Sequence, residues 1–286
     1  MLGTIVFTGA LLILAGVFSF AWFSQNRNVG NSGLEISVRA EDYELLIERT
    51  ARYAEHAIIV GEGHAQDSLE AAFFDLTETS TSSAPYLAYE LVNEYRYENQ
   101  YNLMPGSYGT LTFYLRPRRT GNLSVTFSLG LGGYVLTYDL EGNESFDAVE
   151  SETVLTLLKG HLLFFTARTG ATFETYAYDG IIEDGTFTYN TAEHALCNEV
   201  GKTDCYKITL YWEWPITYYD IVDDISDGET TRRFPEETED YLENTEYFFL
   251  SVPQNATLTQ LSDAYNDADQ AIGTGLDCIV VCVGVR

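Results

Sequence analysis

Tyr108-Gly109-Thr110-Leu111-Thr112-Phe113-Tyr114-Leu115, followed after Thr120-Gly121-Asn122 by Leu123-Ser124-Val125-Thr126-Phe127-Ser128-Leu129, is the stretch that decides the fold. In its second half Leu123, Val125, Phe127 and Leu129 alternate with two serines and a threonine, the period of a strand with one face buried. Pro105-Gly106 supplies a turn before the first run, and Thr120-Gly121-Asn122 supplies one between the two. The same period recurs outward from this pair. It predicts strands at Leu34–Val38, Leu162–Ala167, Thr172–Tyr178, Thr186–Tyr189, Tyr206–Trp214, Tyr247–Val252 and Leu276–Val285.

Helical periods are few. Val149, Val154, Leu157 and Leu158 form one apolar side ahead of Lys159-Gly160, and Leu258, Leu261, Ala264, Tyr265, Ala268 and Ile272 form another that ends at Gly273. Many strands with a few inserted helices predict an all-β chain, an antiparallel jelly-roll-type β-sandwich. No internal repeat or long linker divides it. Residues 22–286 read as one domain, with a polar Ser/Thr loop at Thr77–Ser83 and an acidic insertion at 219–246.

Composition narrows the function. The 286 residues include 15 basic and 43 acidic side chains, a formal charge of −28. So acidic a surface repels phosphate, which excludes nucleic acid as a partner. The only lysines are Lys159, Lys202 and Lys207, too few for a polybasic membrane patch. Hydrophobic residues make up 45% of the chain, which argues against disorder.

The first charged side chain is Arg27, and the segment before it contains the apolar run Ile5–Phe18. An uncharged stretch on this scale predicts an export signal or a membrane anchor over residues 1–21, although the usual basic start is missing. Small residues at Ser19 and Ala21 allow cleavage between Ala21 and Trp22. Export places the protein outside the cell, where Cys197 and Cys205, bracketing a short polar loop, would be placed to form a disulfide. Cys278 and Cys282 lie about 13 Å apart on a strand, too far to bridge each other.

Catalytic motifs are absent. None of His56, His64, His161 and His194 lies in an HExxH helix, and no nucleophile elbow, P-loop or dinucleotide fingerprint occurs. The chain therefore reads as non-enzymatic. In the acidic insertion, Asp220, Asp223, Asp224 and Asp227 precede Gly228 and would gather oxygen ligands for calcium, although their spacing is not that of an EF-hand; Asp263, Asp267 and Asp269 form a weaker cluster. Arg232-Arg233 would neutralise the insertion locally. Trp212 and Trp214 lie among the aromatic residues flanking the insertion, and exposed rings there would stack on glycans or a neighbouring subunit.

Several segments together carry a resemblance. Phe20-Ala21-Trp22-Phe23-Ser24, followed by the Gly33-Leu34-Glu35-Ile36 strand, resembles the signal junction of TasA/camelysin-type secreted proteins of Gram-positive bacteria. Met104-Pro105-Gly106-Ser107-Tyr108-Gly109-Thr110-Leu111, Tyr211-Trp212-Glu213-Trp214-Pro215 and Tyr265–Gly273 are similar to segments of larger members of that group. The resemblance implies a jelly-roll fold and extracellular or biofilm-matrix fibres built by strand exchange. Camelysin-like members are described as metalloproteases, for which this chain offers no zinc motif.

The residues themselves supply a physical route to such assembly. Cleavage after Ala21 leaves an aromatic end, a polar spacer over Gln25–Ser32, and the β-prone strand Leu34-Glu35-Ile36-Ser37-Val38. A flexible strand of this kind either folds back into its own sheet or adds to an open sheet edge of another copy, and head-to-tail contacts of the second type propagate as a homopolymer. The expected function is thus an exported fibre subunit, with the membrane as a partner only during export. The alternative is a calcium-dependent glycan-binding module or adhesin recognising cell-wall or matrix glycans.

Overall fold

The computed structural model describes residues 42–48, 73–75, 89–90, 103–142, 144–199, 201–226 and 233–285. Their strands run β1 (Tyr43–Glu48), β2 (Phe73–Asp75), β3 (Tyr89–Glu90), β4 (Tyr108–Pro117), β5 (Ser124–Tyr138), β6 (Glu144–Ala148), β7 (Leu163–Thr169), β8 (Ala177–Ile181), β9 (Thr186–Asn190), β10 (Tyr206–Glu213) and β11 (Cys278–Val285). The helices are α1 (Glu152–His161), α2 (Tyr218–Ser226), α3 (Thr238–Leu242) and α4 (Leu258–Gly275). No helix among the described residues is long and apolar enough to cross a membrane.

Every strand pairing among the described residues is antiparallel. One sheet has the order β2-β1-β4-β10-β7-β8, and the other has β3-β11-β5-β6 with β9 also on β5. The two sheets share a core. Leu111, Phe113 and Leu115 of β4 and Ile208, Leu210 and Trp212 of β10 meet Val125, Phe127, Ile279 and Val281 of the second sheet. The rings of Phe113 and Phe127 cross edge to face at 5.3 Å, which directly joins the layers.

The opposite face of the first sheet is covered as well. Leu163, Phe165 and Tyr178 pack under Tyr218, Ile221, Phe234, Tyr241, Phe248 and Tyr265. The acidic insertion therefore folds back as α2 and α3, with its apolar residues turned onto the sheet. Helix α4 joins both cores, giving Ala268 and Ile272 to one and Tyr265 to the other.

Helix ends follow local chemistry. Ser151 caps α1 by accepting from the Val154 N–H, with Glu152 in the first turn and Lys159 and His161 in the last. Thr257 and Gln260 form a reciprocal capping box at α4.

Two expected strands are otherwise in the structure. Thr172–Tyr178 begins as a 3-10 turn at Phe173–Thr175 before β8, and Tyr247–Val252 follows a 3-10 turn at Thr245–Tyr247 without strand pairing. Both segments are aromatic-rich, and in the second, ring packing rather than strand pairing accounts for the apolar pattern. The strand expected to stop at Leu129 instead continues to Tyr138.

Candidate functional site

β5 runs 15 residues and does not have the same neighbours along its whole length. Along one edge it pairs continuously with β11, from Phe127↔Val285 to Tyr134↔Cys278. Its other edge is shared. β9 takes Ser124–Ser128 and β6 takes Tyr134–Tyr138, so among the described residues no strand pairs with residues 129–133.

The ends of this gap are fixed by specific contacts. The Val149 N–H donates to the Gly133 carbonyl at 2.9 Å, so Gly133 points its backbone towards the gap side. The Asp277 N–H donates to the Tyr134 carbonyl on the β11 side. With no bulge in the register, alternation turns the N–H and C=O of Leu131 into the gap. At the other end the Gly185 backbone lies so close to the Leu129 carbonyl oxygen that a Cβ would collide with it.

A cleft of about 360 Å³ opens beside the gap. Its floor is apolar, with Leu129 and Leu131 of β5, Leu155 of α1, and Leu162, Phe164 and Ile182. Glu152, Thr156 and Lys159 of α1 and Asp184 supply its polar groups. An apolar hollow with a few convergent polar groups is the usual form of a binding site.

The polar groups are positioned by strain and by hydrogen bonds. Asp184 is in the left-handed region (φ 48°) just before Gly185 (φ 68°), in the corner that carries the chain from β8 to β9. Its carboxylate accepts a 2.6 Å hydrogen bond from the Tyr247 hydroxyl. That bond, together with burial, pushes the Tyr247 phenol up to about 12. The Lys159 ammonium lies 4.0 Å from Asp184, 3.5 Å from the Tyr247 oxygen and 4.7 Å above its ring. By contrast, Lys202 and Lys207 each hold Glu199 at 2.8 Å, and these bonds lower the Glu199 carboxyl to about 2.

The last residue of α1 anchors the helix behind the cleft. His161 is fully buried, with Nδ1 2.6 Å from Asp269 Oδ1 and Nε2 3.1 Å from the Phe248 carbonyl oxygen. Trp214 Nε1 donates to the same Asp269 oxygen at 2.7 Å, and the imidazole stacks on Tyr265 at 4.0 Å. A carbonyl only accepts, so Nε2 carries a proton. One further proton occupies the His161–Asp269 contact, and the pair is neutral as a unit. The pair lies in the interior, where it braces α1 and α4.

A second buried pair explains Arg233. Its guanidinium grips Glu213 of β10 through bonds of 2.7–2.9 Å, donates to the Phe173 carbonyl at 3.0 Å, and covers the Phe173 ring. Burial pushes the Glu213 carboxyl up, and Arg233 opposes that shift. Arg233 thus neutralises a strand residue buried beneath the insertion.

The structure redistributes the residues singled out from the sequence. Trp212 and Trp214 are 0% and 2% exposed, which removes the expected stacking surface. Trp212 shares the inward row of β10 with Ile208 and Leu210, and Trp214, one residue past the end of the strand, packs in the same core. Asp220 accepts from the Thr217 N–H at the start of α2, Asp223 and Asp224 lie on that helix, and Asp227 falls outside the described residues. Among the described residues, no three His, Cys, Asp or Glu side chains come together as a metal site. Cys197 and Cys205 are thiols whose backbones meet at the base of the loop, N–H to carbonyl at 2.8 Å; burial pushes the Cys205 thiol up to about 11. Ala21, Trp22, Leu34, Glu35, Ile36, Ser37, Val38, His56, His64 and Arg232 lie outside the described residues.

Sequence reasoning missed the cleft. Gly130, Gly132 and Gly133 interrupt the alternation after Leu129, and Lys159, Asp184 and Tyr247 are far apart in the chain. A signal was available in Asp184-Gly185, a pair suited to two successive left-handed residues. Comparison of the chain with known protein families, curated proteins and solved structures returns no match.

Proposed function

We propose that this chain is an exported, non-enzymatic structural protein. In this reading it is a jelly-roll-type subunit of a cell-surface or biofilm-matrix fibre, and its copies join head to tail by strand addition. The observation that carries the reading is the interrupted edge of β5, where residues 129–133 have no strand partner among the described residues and border an apolar cleft. An unpaired edge offers backbone hydrogen bonds to an incoming strand, and an adjoining hollow receives alternate side chains.

The strand Leu34–Val38 suits this acceptor. Its Leu34, Ile36 and Val38 share one face, and the backbone groups of Leu131 face the gap between the Val149 and Gly185 contacts. Cleavage between Ala21 and Trp22 would free the segment that carries it. The charge of −28 opposes association, but physiological salt screens exposed charges beyond about 8 Å.

The test compares the exported chain with a variant lacking Trp22–Val38, by sedimentation and by electron microscopy. Filaments from the first and monomers from the second are expected. A wild-type chain that remains monomeric at high concentration refutes the assignment.

A further inference from the structure

The rim of the cleft carries charge in a definite order along β5. Glu152 begins α1 just after Val149, whose N–H reaches Gly133, and so marks the Gly133 end of the gap. Lys159, in the last turn of the helix, lies beside Asp184, which precedes the Gly185 that abuts Leu129, and so marks the Leu129 end. Seven residues of helix separate the two charges by about 10 Å along the axis. Asp184 accepts from the Tyr247 hydroxyl at 2.6 Å and lies 4.0 Å from the Lys159 ammonium, whose own hydrogen bond to that hydroxyl is 3.5 Å long.

The incoming strand has a matching order. In Leu34-Glu35-Ile36-Ser37-Val38-Arg39, the apolar residues form one row and Glu35, Ser37 and Arg39 form the other. Glu35 and Arg39 stand about 13 Å apart on an extended backbone. If the apolar row faces the floor, the charged row is available to the rim. Glu35 beside Lys159 and Arg39 beside Glu152 satisfies both charges, and this requires the strand to run parallel to β5. The opposite direction sets acid against acid and base against base.

We propose that Lys159 and Glu152 read the polarity of the strand entering this cleft, selecting an acid–x–x–x–base segment of a second copy that runs parallel to β5. The proposal rests on the strand-addition reading. It adds a role for two charges that lie outside the backbone pairing. Parallel addition is unlike the antiparallel pairing of β6 and β9 on the same edge, which makes the direction a discriminating prediction.

The test uses the full chain in nonionic detergent and capped synthetic peptides, with affinity read by calorimetry. One peptide has the sequence of residues 34–39, and the other carries Glu35→Arg with Arg39→Glu. The native order is expected to bind about fivefold to tenfold more tightly, a preference that falls with added salt. Glu152→Lys with Lys159→Glu should invert the preference, and Glu152→Gln with Lys159→Gln should abolish it. Circular dichroism checks that each variant folds, and the neutral pair provides a readout that does not depend on the reversed charges. Binding of neither peptide overturns strand addition and this inference together. Equal binding of both overturns only the charge reading, and tighter binding of the swapped peptide overturns the parallel direction.

Discussion

Asp269→Asn changes almost no volume yet removes the one group that balances the protons around His161. In the native arrangement Asp269 Oδ1 accepts from Trp214 Nε1 at 2.7 Å and shares a proton with His161 Nδ1 at 2.6 Å, while Nε2 donates to the Phe248 carbonyl. An asparagine leaves no satisfactory assignment with a neutral imidazole. With the proton on Nδ1, the bare Nε2 faces the Phe248 oxygen. With the proton on Nε2, the bare Nδ1 faces the amide oxygen, and flipping the amide sets its NH₂ against the Trp214 N–H. A doubly protonated imidazole satisfies every bond but buries an unpaired charge. An orphaned buried polar group costs about 1–3 kcal/mol, and an uncompensated buried charge about 3–5 kcal/mol. A loss of about 3 kcal/mol is therefore expected. For a chain of this size it corresponds to a fall in Tm of roughly 6–12 °C. Urea unfolding followed by tryptophan fluorescence measures it, with Trp214 inside the network as a local probe. A variant within about 0.5 kcal/mol of the native protein would refute the proton accounting, because that is the range of a neutral surface substitution.

Three further outcomes follow from other contacts. Gly185→Ala forces a Cβ into the Leu129 carbonyl at a residue with φ of 68°, and should cost about 2–4 kcal/mol in thermal or urea unfolding. Arg233→Met leaves Glu213 buried without its cation, a loss of about 3–5 kcal/mol, and Glu213→Gln in the same chain should recover most of it. Because burial raises the Glu213 carboxyl in the folded state, the folded state holds its proton more tightly than the unfolded one; the single variant should lose stability relative to native as pH rises above about 4.3, as unfolding at several pH values would reveal. Trp212→Ala removes a fully buried ring and should lower stability by about 3–5 kcal/mol, which calorimetric melting measures; a fully stable variant would contradict the core placement.

The period-two pattern in Tyr108–Leu129 and Tyr206–Trp214 was enough to identify β4, the start of β5, and β10, because alternation is a local property of a half-buried strand. Both α1 and α4 were visible for the same reason at the helical period, and α4 passes Gly273 by two residues. The pattern failed where neighbours, rather than sequence, set the environment. Gly130, Gly132 and Gly133 look like a break, yet β5 continues through them; a Cβ at Gly133 would stand 2.8 Å from Leu276 Cδ2. Tyr218, Ile221 and Tyr241 sit within an acid-rich stretch that reads as solvated, and only the exposed face of the first sheet gives them a surface to cover.

What the sequence by itself determined is the antiparallel β character, the inward and outward rows of its strands, and the large negative charge. Tertiary structure decided the rest. The union of His161 with Asp269 spans 108 positions, and that of Lys159 with Tyr247 spans 88. Above all, it decided that β9 and β6 each cover one end of β5 and leave residues 129–133 between them without a strand partner among the described residues. Side-chain alternation reports which face of a strand is buried. It carries no information about which backbone edge is paired, since every residue offers the same N–H and C=O; that depends on long-range register alone.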